Sequence, residues 1–333
     1  MYNIALIGCG YMGHAHLEDI YLKENVRIAG VCDINAELAE LTARQFGIEK
    51  FSVNSDDFIT DPDIDIIIIA TYPSTHYPLL LRCLKNGKHV ICEKPVARNI
   101  EEGEKFRQAV LDHPECKVLI GHILRHNETY KLVAGLISSG EIGKPVIMRM
   151  VQNHQTINFK KHLALIKETS PIIDCGVHYV DVMRWFTGAE VVSVDGVGAK
   201  TEEEVPDGKY NHGIITVTLS DGSIGFYEAG WSHAVATDNT KEFIGPLGRI
   251  KIIYQKDRTT HKESGNLVEI YKYKENVTEF IDIPYDEKPT GLQLDHLISM
   301  IENNIPATPT IDDVLKSFRV VCEADEKIRK KLN

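Results

Sequence analysis

Tyr2-Asn3-Ile4-Ala5-Leu6-Ile7-Gly8-Cys9-Gly10-Tyr11-Met12-Gly13 is the stretch on which the reading of the chain turns. A short apolar strand runs straight into Gly-x-Gly-x-x-Gly, and a helix-like segment follows over residues 14–24. The glycine pattern alone is a weak signal, because glycines recur in many turns. Its setting supplies what dinucleotide binding requires. The strand must end at Gly8 for a tight turn, and Gly10 must let the backbone approach a pyrophosphate. Gly13 must let the helix pack close, with its first N–H groups facing the phosphates.

The next strand signal, residues 26–32, ends at Asp33, twenty residues past Gly13. A carboxylate there accepts hydrogen bonds from the adenosine ribose hydroxyls and repels a 2′-phosphate. The next basic residue, Arg44, lies well down the following helix. These features predict NAD rather than NADP, with Tyr11 and Met12 in the loop and Ile34 beside the carboxylate as further cofactor contacts. Strands and helices then alternate to about residue 120, which predicts a doubly wound parallel sheet. Ligands of such sheets sit beyond the carboxyl ends of the strands. Two loops fall there: Ala70-Thr71-Tyr72-Pro73-Ser74-Thr75-His76 and Glu93-Lys94-Pro95. Lys94, between a buried strand and a proline, is a candidate for polarising a substrate oxygen. Its plain alternative is a solvated surface lysine.

The chain has 333 residues, which suits two domains, and its 43% hydrophobic and 26% charged residues are those of an ordinary globular protein. A net charge of −11 without a Lys/Arg cluster argues against nucleic acid as a partner. The longest aliphatic run, residues 66–70, falls far short of the roughly 20 residues that a bilayer requires, so no membrane partner is expected. The N-terminus shows no basic-then-apolar leader, and the seven cysteines form no Cys-x-x-Cys pair. Both features lead us to expect a cytoplasmic protein with reduced thiols. Of the fourteen histidines, His14 and His16 are two apart on a helix, and no Cys/His cluster has ligand spacing; no metal is expected.

A second helix, expected over residues 171–187, carries Asp174 and His178 four apart and so on one face. Ser170 is its expected cap, Pro171 its first residue and Gly188 its stop. A carboxylate beside an imidazole orients the ring and raises its basicity. In isolation such a pair is more readily a bland surface feature.

In this order and spacing the motifs Gly8-x-Gly10-x-x-Gly13, Ala70-Thr71-Tyr72-Pro73 with His76, Glu93-Lys94-Pro95, Gly121-His122-Ile123-Leu124-Arg125 and Asp174-x-Gly176-x-His178 resemble those of a known family. It is the glucose–fructose oxidoreductase, inositol dehydrogenase and MocA family. The resemblance runs nearly the whole chain and implies an NAD(P)-dependent oxidoreductase acting on a sugar, inositol or related polyol. It implies that Glu93-Lys94-Pro95 contacts the nicotinamide, that Lys94, Asp174 and His178 form the catalytic group, and that the second domain's sheet makes homodimers or homotetramers. Two departures, Thr169-Ser170-Pro171 where relatives often carry glycines and His122 where an aromatic residue is common, bear on which substrate is taken.

After residue 121 the alternation stops and long, antiparallel-looking strand signals follow, with Asp221-Gly222 marking a tight hairpin. The expected fold is therefore a Rossmann dinucleotide-binding domain over residues 1–121. An α+β domain with an open, mostly antiparallel sheet, covered by helices on one face, is expected over 122–333. The last helix is expected to be able to pack back on the first domain. Arg125, His122, His154 and Tyr179 are candidate substrate contacts, with His162 and Trp231 behind them; for each a packing or surface role is the plain alternative. The expected function is hydride transfer between nicotinamide and a carbinol carbon. A glycosidase using tightly held NAD for transient oxidation is one rival. A non-catalytic sensor on the same fold is another.

Overall fold

A computed structural model of the chain describes residues 1–156, 158–259, 265–283 and 288–332. Apolar strands joined to amphipathic helices build the first part. It runs β1 (Tyr2–Ile7), α1 (Tyr11–Ile20), β2 (Val26–Cys32), α2 (Ala36–Phe46), β3 (Phe51–Ser52), α3 (Asp56–Ile59), β4 (Ile66–Ile69), α4 (Pro73–Lys85), β5 (His89–Cys92), α5 (Ile100–Asp112) and β6 (Val118–Ile120). The strands pair in parallel in the order β3-β2-β1-β4-β5-β6. The order reverses beside β1, which puts the topological switch point at the end of the strand that carries the glycine loop. β4 is four isoleucines, all fully buried, as a central strand covered on both faces demands. α2 is capped by the Asn35 side chain and closed by Gly47 at φ +66°.

The second part runs α6 (Glu128–Ser138), β7 (Ile147–Gln155), α7 (Lys160–Glu168), α8 (Pro171–Asp174), α9 (Gly176–Thr187), β8 (Val191–Ala199), β9 (His212–Leu219), β10 (Ile224–Ser232), β11 (Lys241–Gly245), β12 (Gly248–Ile253), β13 (Asn266–Lys272) and β14 (Val277–Ile283). Its eight strands lie in the order β14-β13-β12-β11-β7-β10-β9-β8. Every pairing is antiparallel except β7 with β10, which run parallel from Ile147 opposite Ile224 to Gln155 opposite Ser232. Along β7 Met148 and Met150 are buried while Ile147 and Arg149 are exposed, so one face is core and the other open. Two helices finish the chain, α10 (Thr290–Asn303) and α11 (Ile311–Lys331). Among the described residues no helix is long and apolar enough to cross a membrane.

Three features differ from the sequence expectation. The chain divides into Met1–Ile123 with Lys288–Leu315, and Leu124–Glu287 with Lys316–Asn333, so a single cut at residue 121 does not describe it. The helix that returns to the dinucleotide-type unit is α10, whose Leu294, Leu297, Ile298 and Met300 join the core made by Ile4, Leu6 and Leu17. Most of the last helix belongs instead to the second unit, where Ile328 packs over Gly196 and Gly198 of β8. Second, the helix expected over 171–187 is two pieces. At Cys175 the backbone tightens, and His178 N–H donates to Cys175 O three residues back. The expected ends hold: Ser170 accepts from Ile173 N–H, and Gly188 closes at φ +67°. Third, α7 has no counterpart in the sequence reading; of its nine residues only Ile166 is buried.

Candidate functional site

In the first unit the glycine loop is dictated by sterics. Gly8 sits at φ +99°, and a Cβ there would lie 2.4 Å from Ala70 O. A Cβ on Gly13 would lie 2.1 Å from Gly8 O, whereas one on Gly10 would meet nothing within 4 Å. Gly8 and Gly13 thus close the turn. Gly10, at the cap of α1, leaves open the space where a phosphate could meet the backbone, which is the test a dinucleotide cradle has to pass. Asp33, past the end of β2, accepts from Cys9 N–H and Asn35 N–H at 2.9 Å each, which fixes its carboxylate beside the loop. Ile34 and Tyr11 are exposed on either side, and Met12 is half-buried.

The other two loops follow β4 and β5, neighbours of β1. In the first, Thr71 and Thr75 hydroxyls lie 2.6 Å apart, Pro73 opens α4 and Tyr72 is exposed. His76 is wholly buried, with Nδ1 2.9 Å from Pro95 O and Nε2 3.1 Å from Thr71 O. Burial lowers its pKa further than the two carbonyls raise it, so the ring is neutral and donates its one N–H to one of the two carbonyls. In the second loop, Glu93 accepts from or shares a proton with His16 Nε2 at 2.9 Å, both side chains being almost completely buried. Burial pushes the Glu93 carboxyl up, but the His16 hydrogen bond and the charges of His16, Lys94 and His76 outweigh it and hold the group below the usual carboxylate value. Lys94 therefore stands between two residues pinned from different helices: Glu93 by His16 of α1, and Pro95 by His76 of α4.

The sequence reading missed two residues here. His16 enters the sequence reading only as a metal candidate, although its place three residues past Gly13 turns it to the same face of α1. Lys288, whose ammonium lies 3.3 Å from the Tyr11 ring centroid, comes from the segment that returns to this unit and had no local signal.

In the second unit Asp174 is buried at the end of α8 and accepts from the Cys175 thiol at 3.5 Å, while His178 is half-buried one turn on. The substrate candidates divide. Arg125 donates through two nitrogens to Asp181 at 2.7 and 2.9 Å and lies over Trp185 at 4.8 Å, so its charge is already met within the fold. Tyr179 is buried, stacked on Tyr227 at 4.6 Å, with the Lys241 ammonium 4.6 Å above its ring. Burial pushes its phenol well above the ordinary range, as for a packing residue. His122 is buried as well and belongs to the first unit. His154 of β7 is half-buried, its ring 6.3 Å from that of His162, which in turn meets the edge of buried Trp231 at 5.1 Å. Burial and neighbouring positive charge lower both imidazoles, His162 to about 4. Among the described residues no group of three or more His, Cys, Asp or Glu is arranged to hold a metal ion.

A parallel sheet with a glycine loop and a carboxylate past the end of its second strand, followed by an open sheet carrying an Asp/His helix, defines a two-unit dinucleotide-binding oxidoreductase fold. Comparison with known proteins agrees. Residues 2–122 match the model of the "Oxidoreductase family, NAD-binding Rossmann fold" and residues 130–251 the "GFO/IDH/MocA C-terminal domain". The chain belongs to the Gfo/Idh/MocA oxidoreductase family. It is 30% identical over 255 residues to scyllo-inositol 2-dehydrogenase (NAD(+)) of Bacillus subtilis, covering 74% of this chain and 72% of that one. It is 24% identical to myo-inositol 2-dehydrogenase of Thermotoga maritima, covering 74% of each. Among solved structures, the aldose-aldose oxidoreductase of Caulobacter crescentus superposes with a TM-score of 0.85 at 23% identity, over 99% of this chain and 98% of that one. The myo-inositol 2-dehydrogenase of Lactobacillus plantarum does so with 0.82 at 20%, over 99% and 98%. At such identities the likeness establishes the fold.

Proposed function

We propose that the chain is an NAD-dependent dehydrogenase that removes hydride from a carbinol carbon of an inositol, sugar or related polyol, with Lys94, Asp174 and His178 as its catalytic group. The observation that carries this reading is the pinning of Lys94 between His16–Glu93 and His76–Pro95. A surface lysine has no need of a turn held by two buried histidines. A lysine that must meet a substrate oxygen at a fixed distance does.

When bound, the nicotinamide ring supplies the acceptor for the hydride. Gly8, Gly10 and Gly13 would cradle the pyrophosphate, with Asp33 and Ile34 at the adenosine end and Ala70 to Pro73 and Glu93 to Pro95 toward the nicotinamide. Asp33 favours NAD, because a 2′-phosphate would place negative charge against a carboxylate that backbone N–H groups already hold in place. In the oxidation direction Lys94 holds the alcohol oxygen and stabilises charge on it as the carbonyl forms. His178 accepts the hydroxyl proton, and Asp174 orients the ring and steadies its charged form. His154 and His162, kept neutral, offer hydrogen bonds to further hydroxyls. Arg125 and Tyr179 serve by holding α9 rather than by touching substrate. The open face of the second sheet, with Ile147 and Ile224 exposed, is where we place the homodimer or homotetramer contact.

Replacing Lys94 with Ala tests the reading. Turnover is expected to fall by orders of magnitude while NADH still binds, as followed by its fluorescence; near-normal turnover in that variant rejects the role.

A further inference from the structure

The helix that carries Asp174 has an anchor far from it in sequence. α8 is a single turn of four residues, too short to hold its own direction by helical cooperativity. It runs through Cys175 into α9 at one end, and at the other its direction depends on what grips its first residue. Ser170 is 1% exposed, Tyr210 is fully buried and Asp325, on α11, is 2% exposed. Tyr210 Oη lies 3.0 Å from Ser170 Oγ and 2.7 Å from Asp325 Oδ1.

Donor and acceptor bookkeeping orders this chain one way. A carboxylate only accepts, so the phenol proton goes to Asp325, which leaves the phenol oxygen to accept from the Ser170 hydroxyl. The Ser170 oxygen keeps a lone pair for Ile173 N–H at 3.2 Å, the bond that caps α8. Asp325 is in turn paired with Arg329, one turn along α11, at 2.5 Å. The backbone is held at the same place: Lys209 Nζ donates to Thr169 O at 3.2 Å, and Asp174 N–H to Ser170 O at 2.8 Å. Gly213 of β9 is squeezed by the same elements, since a Cβ there would lie 2.7 Å from Ile172 and 2.8 Å from Tyr210.

From this we infer that Tyr210 and Asp325 are positioning residues for the catalytic carboxylate: the run Asp325–Tyr210–Ser170 sets the angle of α8 and with it the place of Asp174. The inference rests on the dehydrogenase reading above and extends it to a residue of the last helix. A buried chain of polar groups in which every proton is assigned holds one geometry, which an apolar contact of the same shape does not enforce.

The test uses the full-length protein with NAD and scyllo-inositol or myo-inositol, whichever the wild type oxidises, unlabelled and deuterated at the oxidised carbon. Tyr210→Phe is expected to lower kcat about tenfold or more, with KM for NAD unchanged and a larger primary isotope effect, because only the chemical step is slowed. Ser170→Ala is expected to behave alike, and Ser170→Thr, which keeps cap and hydroxyl, to restore most of kcat. If Tyr210→Phe does not fold, Asp325→Asn is read in its place by the same criteria. Variants with lowered melting temperature but wild-type kcat and isotope effect overturn the inference and leave the dehydrogenase reading standing. A folded wild type that oxidises no polyol overturns the dehydrogenase reading and the inference with it.

Discussion

His16 Nε2 and Glu93 Oε1 lie 2.9 Å apart inside the first unit, His16 at 0% and Glu93 at 4% exposure. The pair ties the helix of the glycine loop to the turn that presents Lys94. The glycine-loop helix and the Glu93-Lys94-Pro95 turn are thus joined by one buried contact. His16→Leu leaves the Glu93 carboxylate buried without that partner, and a loss of about 3–5 kcal/mol is expected in urea unfolding. Glu93→Gln keeps a hydrogen bond without the charge and is expected to cost much less stability while still slowing turnover. Equal stability loss in both variants would contradict the assignment.

The glycine cradle makes a sharper demand. Gly13→Ala sets a methyl group 2.1 Å from Gly8 O, a contact only a shifted loop can relieve. NADH titration by fluorescence should show affinity weakened by at least tenfold, and Gly10→Ala, with open space at the position, a loss only if a ligand approaches there. Wild-type affinity in Gly13→Ala would mean that cofactor does not use this loop.

Asp33→Ala removes the carboxylate proposed to meet the adenosine ribose. Its N–H partners, Cys9 and Asn35, then face an open site. The expected outcome is a KM for NAD raised by roughly ten- to a hundredfold, in line with the roughly 1.5–3 kcal/mol of hydrogen bonds to a charged group. KM for NADP should fall at the same time. A variant that discriminates as the wild type does would remove Asp33 from cofactor choice.

His162 gives a pH signature. Burial first, then the charges of His154 and Lys161, lower its pKa from 6.5 to about 4. Above pH 6.5 the ring is neutral folded or unfolded. As pH falls from 6.5 towards 4, the unfolded chain takes up a proton that the folded chain refuses, so stability declines across that window. Part of this is screened, because the ring is only half-buried. His162→Phe should flatten the decline in thermal melts between those limits, and NMR titration of His162 should show its midpoint well below the ordinary histidine value. A ring titrating at its ordinary value would withdraw the neutral donor proposed for substrate hydroxyls.

What could be read from the sequence was whatever local chemistry dictates. The glycine loop, Asp33 at the end of β2 and the Ser170 and Gly188 ends of the helical stretch are short-range patterns, and each falls where expected. Pairings set by the fold were not legible. Asp181 meets Arg125 across 56 residues, and Asp325 meets Tyr210 across 115, with no spacing rule to join them. The parallel pairing of β7 with β10 is likewise invisible in two strands that alternate as antiparallel ones do. The break at Cys175 escaped notice because the end signals, Ser170-Pro171 and Gly188, bracket one continuous stretch, and weak helix formers inside it such as Asp174 and Gly176 do not by themselves mark a break. α7 escaped because it is only nine residues long, too short for a periodic pattern to stand out in sequence.

A dehydrogenase of this kind moves hydride from a polyol to NAD. The direct measurement is NADH formation by the purified protein across a panel of inositols, aldoses and sugar acids, with Lys94→Ala alongside. NADH stoichiometric with an oxidised polyol is expected for the wild type and almost none for the variant. No NADH with any polyol, or glycoside cleavage with NAD firmly retained and unchanged, would contradict it.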